Sequence, residues 1–147
     1  TKVCNFTPEP RRMRKIEHIG IAVKDLGASN VLFEKLFGQP PYKTEEVASE
    51  GVRTSFFRSG PNKIELLEAT RDNSPIAKYI EKKGAGIHHI AFDGEDIRSE
   101  IERLRGQGFT VLNETPKKGA DGKLVAFLHP KTTNGVLIEL CQDAPEE

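Results

Sequence analysis

The chain has 147 residues, which is the size of one ordinary domain with room for a substantial core. Lys plus Arg and Asp plus Glu both number 22, so the formal net charge is zero and nothing favours nucleic acid or an acidic polymer as a partner. The two cysteines, Cys4 and Cys141, lie near opposite ends and form no disulfide framework, which favours a reducing, cytosol-like compartment. No apolar run approaches the roughly 20 residues of a membrane-spanning helix, so we expect no membrane segment.

The two ends of the chain differ from the rest in pattern. Residues 1–14 include Pro8 and Pro10 and show no apolar periodicity. We therefore expect an N-terminal extension there, either disordered or a tag or targeting remnant. The folded domain is predicted over residues 15–142, and a C-terminal tail over residues 143–147.

The first half of the chain has the pattern of one strand, one helix and three further strands. β-branched residues predict the first strand, and a helix with Leu32, Phe33 and Leu36 on one face is expected to end at Gly38. Turn-rich stretches separate the later strands. The expected elements are a strand at Lys15–Val23, a helix at Gly27–Phe37, and strands at Pro41–Val47, Val52–Arg58 and Lys63–Glu68.

The second half repeats the same order of elements. Glu17 and His18 align with His88 and His89, and in both halves an Asp followed by an apolar residue comes at the same distance after the histidine. An internal duplication explains this agreement better than chance does. The expected elements are a strand at Gly86–Phe92, a helix at Ile97–Arg105, and strands at Thr110–Asn113, Leu124–His129 and Val136–Cys141.

A short helix is expected to join the two halves over residues 74–84. Ser74 is a good N-cap, Pro75 suits the first helical position, and Gly84 ends the segment. The modules then span residues 15–70 and 86–142. We predict an α+β fold in which two paired βαβββ modules form curved sheets around a metal-binding cleft.

Each half supplies one histidine and one glutamate in strand-like surroundings. Strand alternation places His18 on the same face as the small residue Gly20, and His89 on the matching face of the second half. Glu65 and Glu139 lie in the last strand of each half, at similar separations from their histidines. A buried glutamate is costly unless it is paired or binds a metal. We therefore predict that His18, Glu65, His89 and Glu139 hold one divalent metal ion.

Nitrogen and oxygen donors without thiolate suit Co²⁺, which we take as the first choice, or Mn²⁺, Ni²⁺, Fe²⁺ or Zn²⁺. Four ligands on an octahedral ion leave two positions for two oxygens of one substrate. The alternative is that the histidines are satisfied core residues and the glutamates are edge charges facing water. Alternation predicts that His88 lies on the face opposite His89, at the surface or behind a ligand.

Five segments narrow the interpretation, because together they resemble the methylmalonyl-CoA epimerases of the vicinal oxygen chelate superfamily. The histidine and glutamate positions alone indicate only the superfamily. The resemblance covers about Arg14–Gln142. The segments are Ile16–Val23, Ser74–Ala77, Gly86–Phe92, Phe127–Lys131 and Gly135–Leu140.

The resemblance implies a homodimer, a CoA thioester substrate and a divalent metal at the four positions already named. It implies interconversion of the (R) and (S) forms of methylmalonyl-CoA by proton transfer at the α-carbon, within propionate metabolism. It also implies a cytoplasmic location in a bacterium and the mitochondrial matrix in a eukaryote. No nucleic acid and no membrane are expected as partners.

Two glutamates are candidate catalytic residues. Glu139 is the first choice as a metal ligand that also reaches the α-proton, although a metal-bound carboxylate is a poorer base. The resemblance also implies a second carboxylate for the opposite face of the substrate, in the loop before the second strand of the first half. The matching position here holds Ser49, so Glu50, one residue later, is the candidate.

A basic, glycine-rich segment in the second half is a candidate for contacts with the CoA phosphates. It contains Lys117, Lys118 and Lys123, and His129 follows at the end of the next strand. A plain hairpin with solvated lysines and an ordinary strand end at His129 are the alternatives.

Two other functions fit the superfamily. A glyoxalase uses the same metal geometry, but the segment around Ser74 and the second-half segments resemble the epimerases more closely. A drug-sequestering protein binds its ligand between the same sheets without a metal, and the four ligand-type residues argue against it.

Overall fold

The structure is a computed structural model that describes residues 13–145. The extension predicted over residues 1–14 lies outside the described residues except for Met13 and Arg14, and the end of the predicted tail, 146–147, lies outside them too. The strands and α-helices are β1 (Lys15–Ala22), α1 (Leu26–Phe37), β2 (Lys43–Val47), β3 (Val52–Ser59), β4 (Asn62–Ala69), α2 (Pro75–Lys83), β5 (Gly86–Asp93), α3 (Ile97–Gly106), β6 (Lys117–Lys118), β7 (Lys123–Leu128) and β8 (Ile138–Asp143).

All eight strands belong to one sheet with the order β2-β3-β4-β1-β5-β8-β7-β6. Each half of the chain supplies four neighbouring strands, and the halves join where β1 pairs antiparallel with β5. On either side of this seam, β1 pairs parallel with β4, and β5 pairs parallel with β8. The predicted α+β fold, built from two βαβββ modules, is confirmed.

The helices begin at equivalent capping residues in the two modules. The Asp25 side chain accepts a hydrogen bond from the Ala28 N–H at the start of α1, and Asp96 does the same for Ser99 at the start of α3. Such a cap satisfies backbone donors that the first turn leaves free. Between the modules, Ser74 caps α2 through the N–H of Ala77, as its sequence predicts.

The predicted buried face of α1 is partly wrong. Phe33 packs against Phe57, but Leu32 and Leu36 are 62% and 68% exposed. The helix begins at the buried Leu26, and the positions aligned with Leu26 at helical spacing are Phe33 and Phe37. These aromatic side chains therefore fill the space over the sheet, and the two leucines are turned outward.

The strand predicted at Thr110–Asn113 is also wrong. Within the described residues this segment makes one isolated bridge, between Val111 and Leu128. The Asn113 side-chain oxygen accepts the Phe127 N–H at 3.0 Å, in the place where a strand backbone would pair. The pairing resumes further on, at the two-residue strand β6.

Helices α1 and α3 cover one face of the sheet, and the cavity lies on the other face, where Pro75 and Ile76 of α2 form part of its wall. In β4, Leu66 packs in the cluster beneath α1, whereas its neighbours Glu65 and Leu67 line the cavity. In β7, Ala126 packs beneath α3, whereas Phe127 lines the cavity. Strand alternation thus separates the core from the functional face.

Within residues 13–145, no helix combines the length and the continuous apolar character needed to cross a lipid bilayer.

Candidate metal centre and substrate cavity

A cavity of about 300 Å³ lies on the open face of the sheet, between the two modules. Its walls are largely apolar, whereas histidines and carboxylates lie among the lining residues. An apolar pocket with a few convergent polar groups is the usual form of a ligand site. The apolar lining includes Val47, Val52, Leu67, Ile76, Val125, Phe127 and Leu137, and the ionisable lining comprises Glu50, Glu65, His88, His89, Lys117 and Glu139.

The strand register brings the four predicted ligands together in two neighbouring rows. One row runs from Glu65 on β4 through Gly20 on β1 to His89 on β5. The other row runs from His18 on β1 through Ala91 on β5 to Glu139 on β8. In each row a small residue separates the histidine from the glutamate, so the long side chains can meet above it.

Three of the four side chains form a tight trio. The Nε2 atoms of His18 and His89 are 3.0 Å apart, and Glu139 Oε2 lies 2.9 Å from the first and 3.1 Å from the second. All three residues are buried. Neighbouring corners of an octahedron lie roughly 3.0 Å apart when the metal–ligand bonds are about 2.1 Å long. The trio therefore matches one face of an octahedral site.

The carboxylate of Glu139 provides an independent test of this fit. Its Oε2 atom is buried and has no hydrogen bond of good geometry among the described residues, although two ring nitrogens lie close to it. A buried carboxylate oxygen without a partner is costly. A divalent cation would satisfy it, and two imidazoles with one carboxylate are suitable donors for such an ion.

Glu65 lies near the trio but not within it. Its Oε1 atom is 3.9 Å from His18 Nε2 and 3.7 Å from His89 Nε2. Burial raises the pKa of this carboxyl, although the neighbouring histidines oppose the change. The predicted fourth ligand is thus within reach of the centre, at a longer distance than the other three.

Two β-bulges in the β1–β5 pair place His88 on a face that strict alternation does not predict. The β1–β5 register shifts between Ile16 and His18, where Glu17 is the extra residue, and again at Gly20, where His88 is the extra residue on β5. A bulge re-aims its side chain, and the prediction that His88 lies on the face opposite His89 is therefore wrong. His88 lines the cavity, and its Nδ1 atom is 2.9 Å from His89 Nδ1.

Glu17 connects His18 to a group of charges that sequence reasoning missed. Its Oε1 atom is 3.8 Å from His18 Nδ1 and 2.7 Å from the Lys63 ammonium, which also contacts Asp121 at 2.9 Å. Burial opposes ionisation of Glu17, but its contacts with His18 and Lys63 lower its pKa to about 2. The duplication could have indicated this contact, because Glu17 and His88 occupy equivalent positions, each directly before one of the two trio histidines.

The trio carries opposite charges in the metal-free protein. Burial acts to lower the pKa of His18, but the Glu139 and Glu17 carboxylates outweigh it and raise this pKa to about 10. Burial acts to raise the pKa of Glu139, and the two histidines hold it well below its ordinary value. Burial and the charge of His89 lower the pKa of His88 to about 4. A metal ion would therefore have to displace a proton from His18 in order to bind.

Residues 17–127 match the family model of the glyoxalase/bleomycin resistance protein/dioxygenase superfamily. The ethylmalonyl-CoA/methylmalonyl-CoA epimerase of Cereibacter sphaeroides is 42% identical over 130 residues, which are 87% of this chain and 97% of the relative. The mitochondrial methylmalonyl-CoA epimerase of Dictyostelium discoideum is 39% identical over 127 residues, 86% of this chain and 76% of the relative. The chain belongs to the methylmalonyl-CoA epimerase family of this superfamily. The resemblance found in the sequence is confirmed.

Solved structures agree with this assignment. A variant of Streptomyces coelicolor methylmalonyl-CoA epimerase in complex with 2-nitronate-propionyl-CoA has a TM-score of 0.85 at 35% identity, covering 92% of this chain and 98% of that chain. Members of the superfamily bind a divalent metal, and the trio offers the donors for one here.

The structure brings together only some of the catalytic and CoA-binding residues that the epimerase resemblance predicts. Glu50 and Lys117 line the cavity, where the Lys117 ammonium lies 2.5 Å from the Glu50 carboxylate. Lys118 is exposed. Lys123 pairs with Asp143 instead of lining the cavity.

His129 also lies outside the cavity lining. Its Nδ1 atom accepts the Lys131 N–H at 3.0 Å and so caps the 3-10 turn that follows β7. This contact favours the strand-end interpretation of His129, and a role for it in CoA binding stays a prediction.

Gly20 provides the space for the His89 ring, which yields a prediction. A Cβ atom at Gly20 would lie 2.1 Å from His89 Cε1, closer than any real contact. We expect Gly20→Ala to displace His89 and weaken Co²⁺ binding by about 10-fold or more, since displacement of a ligand imidazole costs at least as much as loss of its outer-shell support. Isothermal titration of the metal-free protein with Co²⁺ measures this.

The matched control is Gly106→Ala, because a Cβ atom there meets nothing within 4 Å. Unchanged affinity in Gly20→Ala would show that the two histidines do not need this arrangement to bind the ion.

Proposed function

We propose that the chain is an epimerase that interconverts (R)- and (S)-methylmalonyl-CoA by moving the α-proton. The observation that carries the proposal is the buried trio of His18, His89 and Glu139, two of which, His89 and Glu139, line the cavity between the modules. Relatives with this substrate in their names cover nearly the whole fold, which supports the same chemistry here.

The trio would hold one divalent ion per chain, with Glu65 as a fourth ligand after a small shift of its side chain. Co²⁺ is our first choice, and Mn²⁺, Ni²⁺, Fe²⁺ or Zn²⁺ also suit these donors. When bound, the ion supplies Lewis-acid stabilisation of negative charge on substrate oxygens.

The proton to be moved lies between a thioester and a carboxylate, and inversion requires its removal from one face and its return to the other. Glu139 is the proposed base on one face. Its Oε2 atom contacts both histidines, so Oε1 is the oxygen available to the α-proton.

Glu50 is the proposed base on the opposite face. It lies in the 3-10 turn that precedes β3, lines the cavity, and is paired with Lys117 from the other module. A substrate carboxylate would compete for the Lys117 ammonium and release Glu50 to exchange a proton. The lysines at positions 117, 118 and 123 and His129 are the proposed contacts for the CoA portion.

The wider role follows from the same family. We propose a homodimer that acts in propionate metabolism, and the relatives include bacterial and mitochondrial proteins. The location is accordingly proposed as the cytoplasm of a bacterium or the mitochondrial matrix of a eukaryote. The folded domain is proposed to comprise modules 15–70 and 86–142, joined by the helix segment 74–84.

The proposed reaction predicts metal-dependent exchange of the α-hydrogen. In deuterated water, the Co²⁺-loaded protein should incorporate deuterium into methylmalonyl-CoA and interconvert its epimers. Removal of the ion with a chelator should slow exchange by about 100-fold or more, the typical scale of a lost catalytic group. Mass spectrometry and chiral analysis of the substrate measure both outcomes. Exchange at full rate in protein proved metal-free by elemental analysis would contradict the metal requirement.

Glu139→Gln tests the base on the first face. An amide oxygen can still bind a metal but cannot take up a proton at neutral pH, so epimerisation at saturating Co²⁺ should fall by about 100-fold or more. Glu65→Gln is the matched control, since it removes one carboxylate from the same centre and leaves the proposed base in place. Near-equal rates in the two variants would leave Glu139 as a ligand only.

Glu50→Gln tests the base proposed for the opposite face of the substrate. If Glu139 still works from its own side, one epimer should continue to exchange its α-hydrogen while inversion falls by about 100-fold. Glu46→Gln is the control, because Glu46 is exposed on the neighbouring strand β2. Inversion at the wild-type rate would exclude Glu50 as the second base.

A further inference from the structure

His88 is the only histidine among the described residues that lines the cavity without belonging to the trio. The bulge in β5 turns it toward His89, and the two Nδ1 atoms face each other at 2.9 Å. Their rings are perpendicular, at an interplanar angle of 89°. Two ring nitrogens at this distance form a hydrogen bond only if one donates and the other accepts.

The direction of this hydrogen bond follows from the proposed role of His89 as a metal ligand. Its Nε2 atom faces His18 and Glu139 and must remain unprotonated to bind a metal, so a neutral His89 carries its proton on Nδ1. That N–H then donates to the Nδ1 atom of His88. His88 in turn carries its own proton on Nε2.

We propose that His88 is a positioning residue for the metal centre: its Nδ1 atom accepts the His89 Nδ1–H and thereby fixes the tautomer and the ring orientation of that ligand. The proposal rests on the metal centre described above. It assigns a role to a residue that is neither a ligand nor a base.

The linker helix holds His88 in place. The Tyr79 ring on α2 makes an edge contact with the His88 ring, with the centroids 4.7 Å apart. The Tyr79 hydroxyl donates to the backbone oxygen of Ile87 at 2.7 Å, just before the bulge. The helix that joins the modules therefore reaches the metal centre through Tyr79, His88 and His89 in succession.

The equivalent partner in the first module is different. Glu17 lies 3.8 Å from His18 Nδ1, beyond hydrogen-bond distance, and its closest contact is with Lys63. His89 therefore has the nearer orienting group of the two ligand histidines. Loss of the His88 side chain should weaken metal binding more than it destabilises the sheet.

Co²⁺ titration of the metal-free full chain tests the proposal with three variants. Asparagine places a side-chain oxygen near the former Nδ1 position, whereas glutamine places its amide near the former Nε2 position, and leucine has no acceptor. We expect His88→Leu and His88→Gln to weaken Co²⁺ binding by about 10- to 100-fold and His88→Asn to stay within roughly threefold of the wild type.

The Asn–Gln pair keeps the test decisive even if His88→Leu does not fold, because the two differ mainly in the position of the acceptor. A purely structural role would weaken both alike. As a second measurement, ¹⁵N imidazole spectra of the Zn²⁺-loaded protein should show His89 protonated at Nδ1.

Equal Co²⁺ affinity in the wild type and all three variants would overturn the positioning role alone, and so would equal losses in His88→Asn and His88→Gln. Failure of the wild type itself to bind Co²⁺ would overturn the metal centre, and the positioning role with it. The two failures are distinguishable because only the second involves the unmodified chain.

Discussion

The structure depends on the burial of two histidines and two glutamates where the modules meet. Such a group is stable only if its charges and lone pairs are satisfied, and one divalent ion would satisfy them together. Each module contributes one histidine at the seam between β1 and β5. Each also contributes one glutamate from the strand that pairs parallel with its seam strand, β4 or β8. The centre is therefore complete only when the two halves pair in this register.

The backbone near the seam is adapted to that requirement. Gly20 and Ala91 keep the space above the sheet open, since each lies between a histidine and a glutamate in the cross-strand rows. The two bulges add a neighbour behind each ligand histidine, Glu17 behind His18 and His88 behind His89. Small residues and bulges thus create room and support in a sheet whose regular pleat would provide neither.

The duplication explains why the convergence of these four side chains was predictable from the sequence. His18 and His89 appear in matching motifs, and Glu65 and Glu139 follow in matching apolar strands, so each prediction supports the other. The face on which His88 lies was not predictable by alternation, because a bulge reverses the face of a residue without any mark in the local composition. The same limit applies to Thr110–Asn113, where the Asn113 side chain replaces a backbone partner in the pairing with Phe127.

A second pair of equivalent residues shows how a duplicated fold becomes an asymmetric site. Glu50 and Asp121 each lie in a 3-10 turn near a glycine with positive φ, and each pairs with a lysine of the other module. Asp121 is also held by Lys63, and these contacts with Lys63 and Lys43 lower its pKa against the effect of burial. Glu50 has Lys117 as its ion-pair partner among the described residues, and both line the cavity. Asp121 is therefore held between the modules by two lysines, whereas Glu50 has one lysine partner, which the proposed mechanism has an anionic substrate compete for.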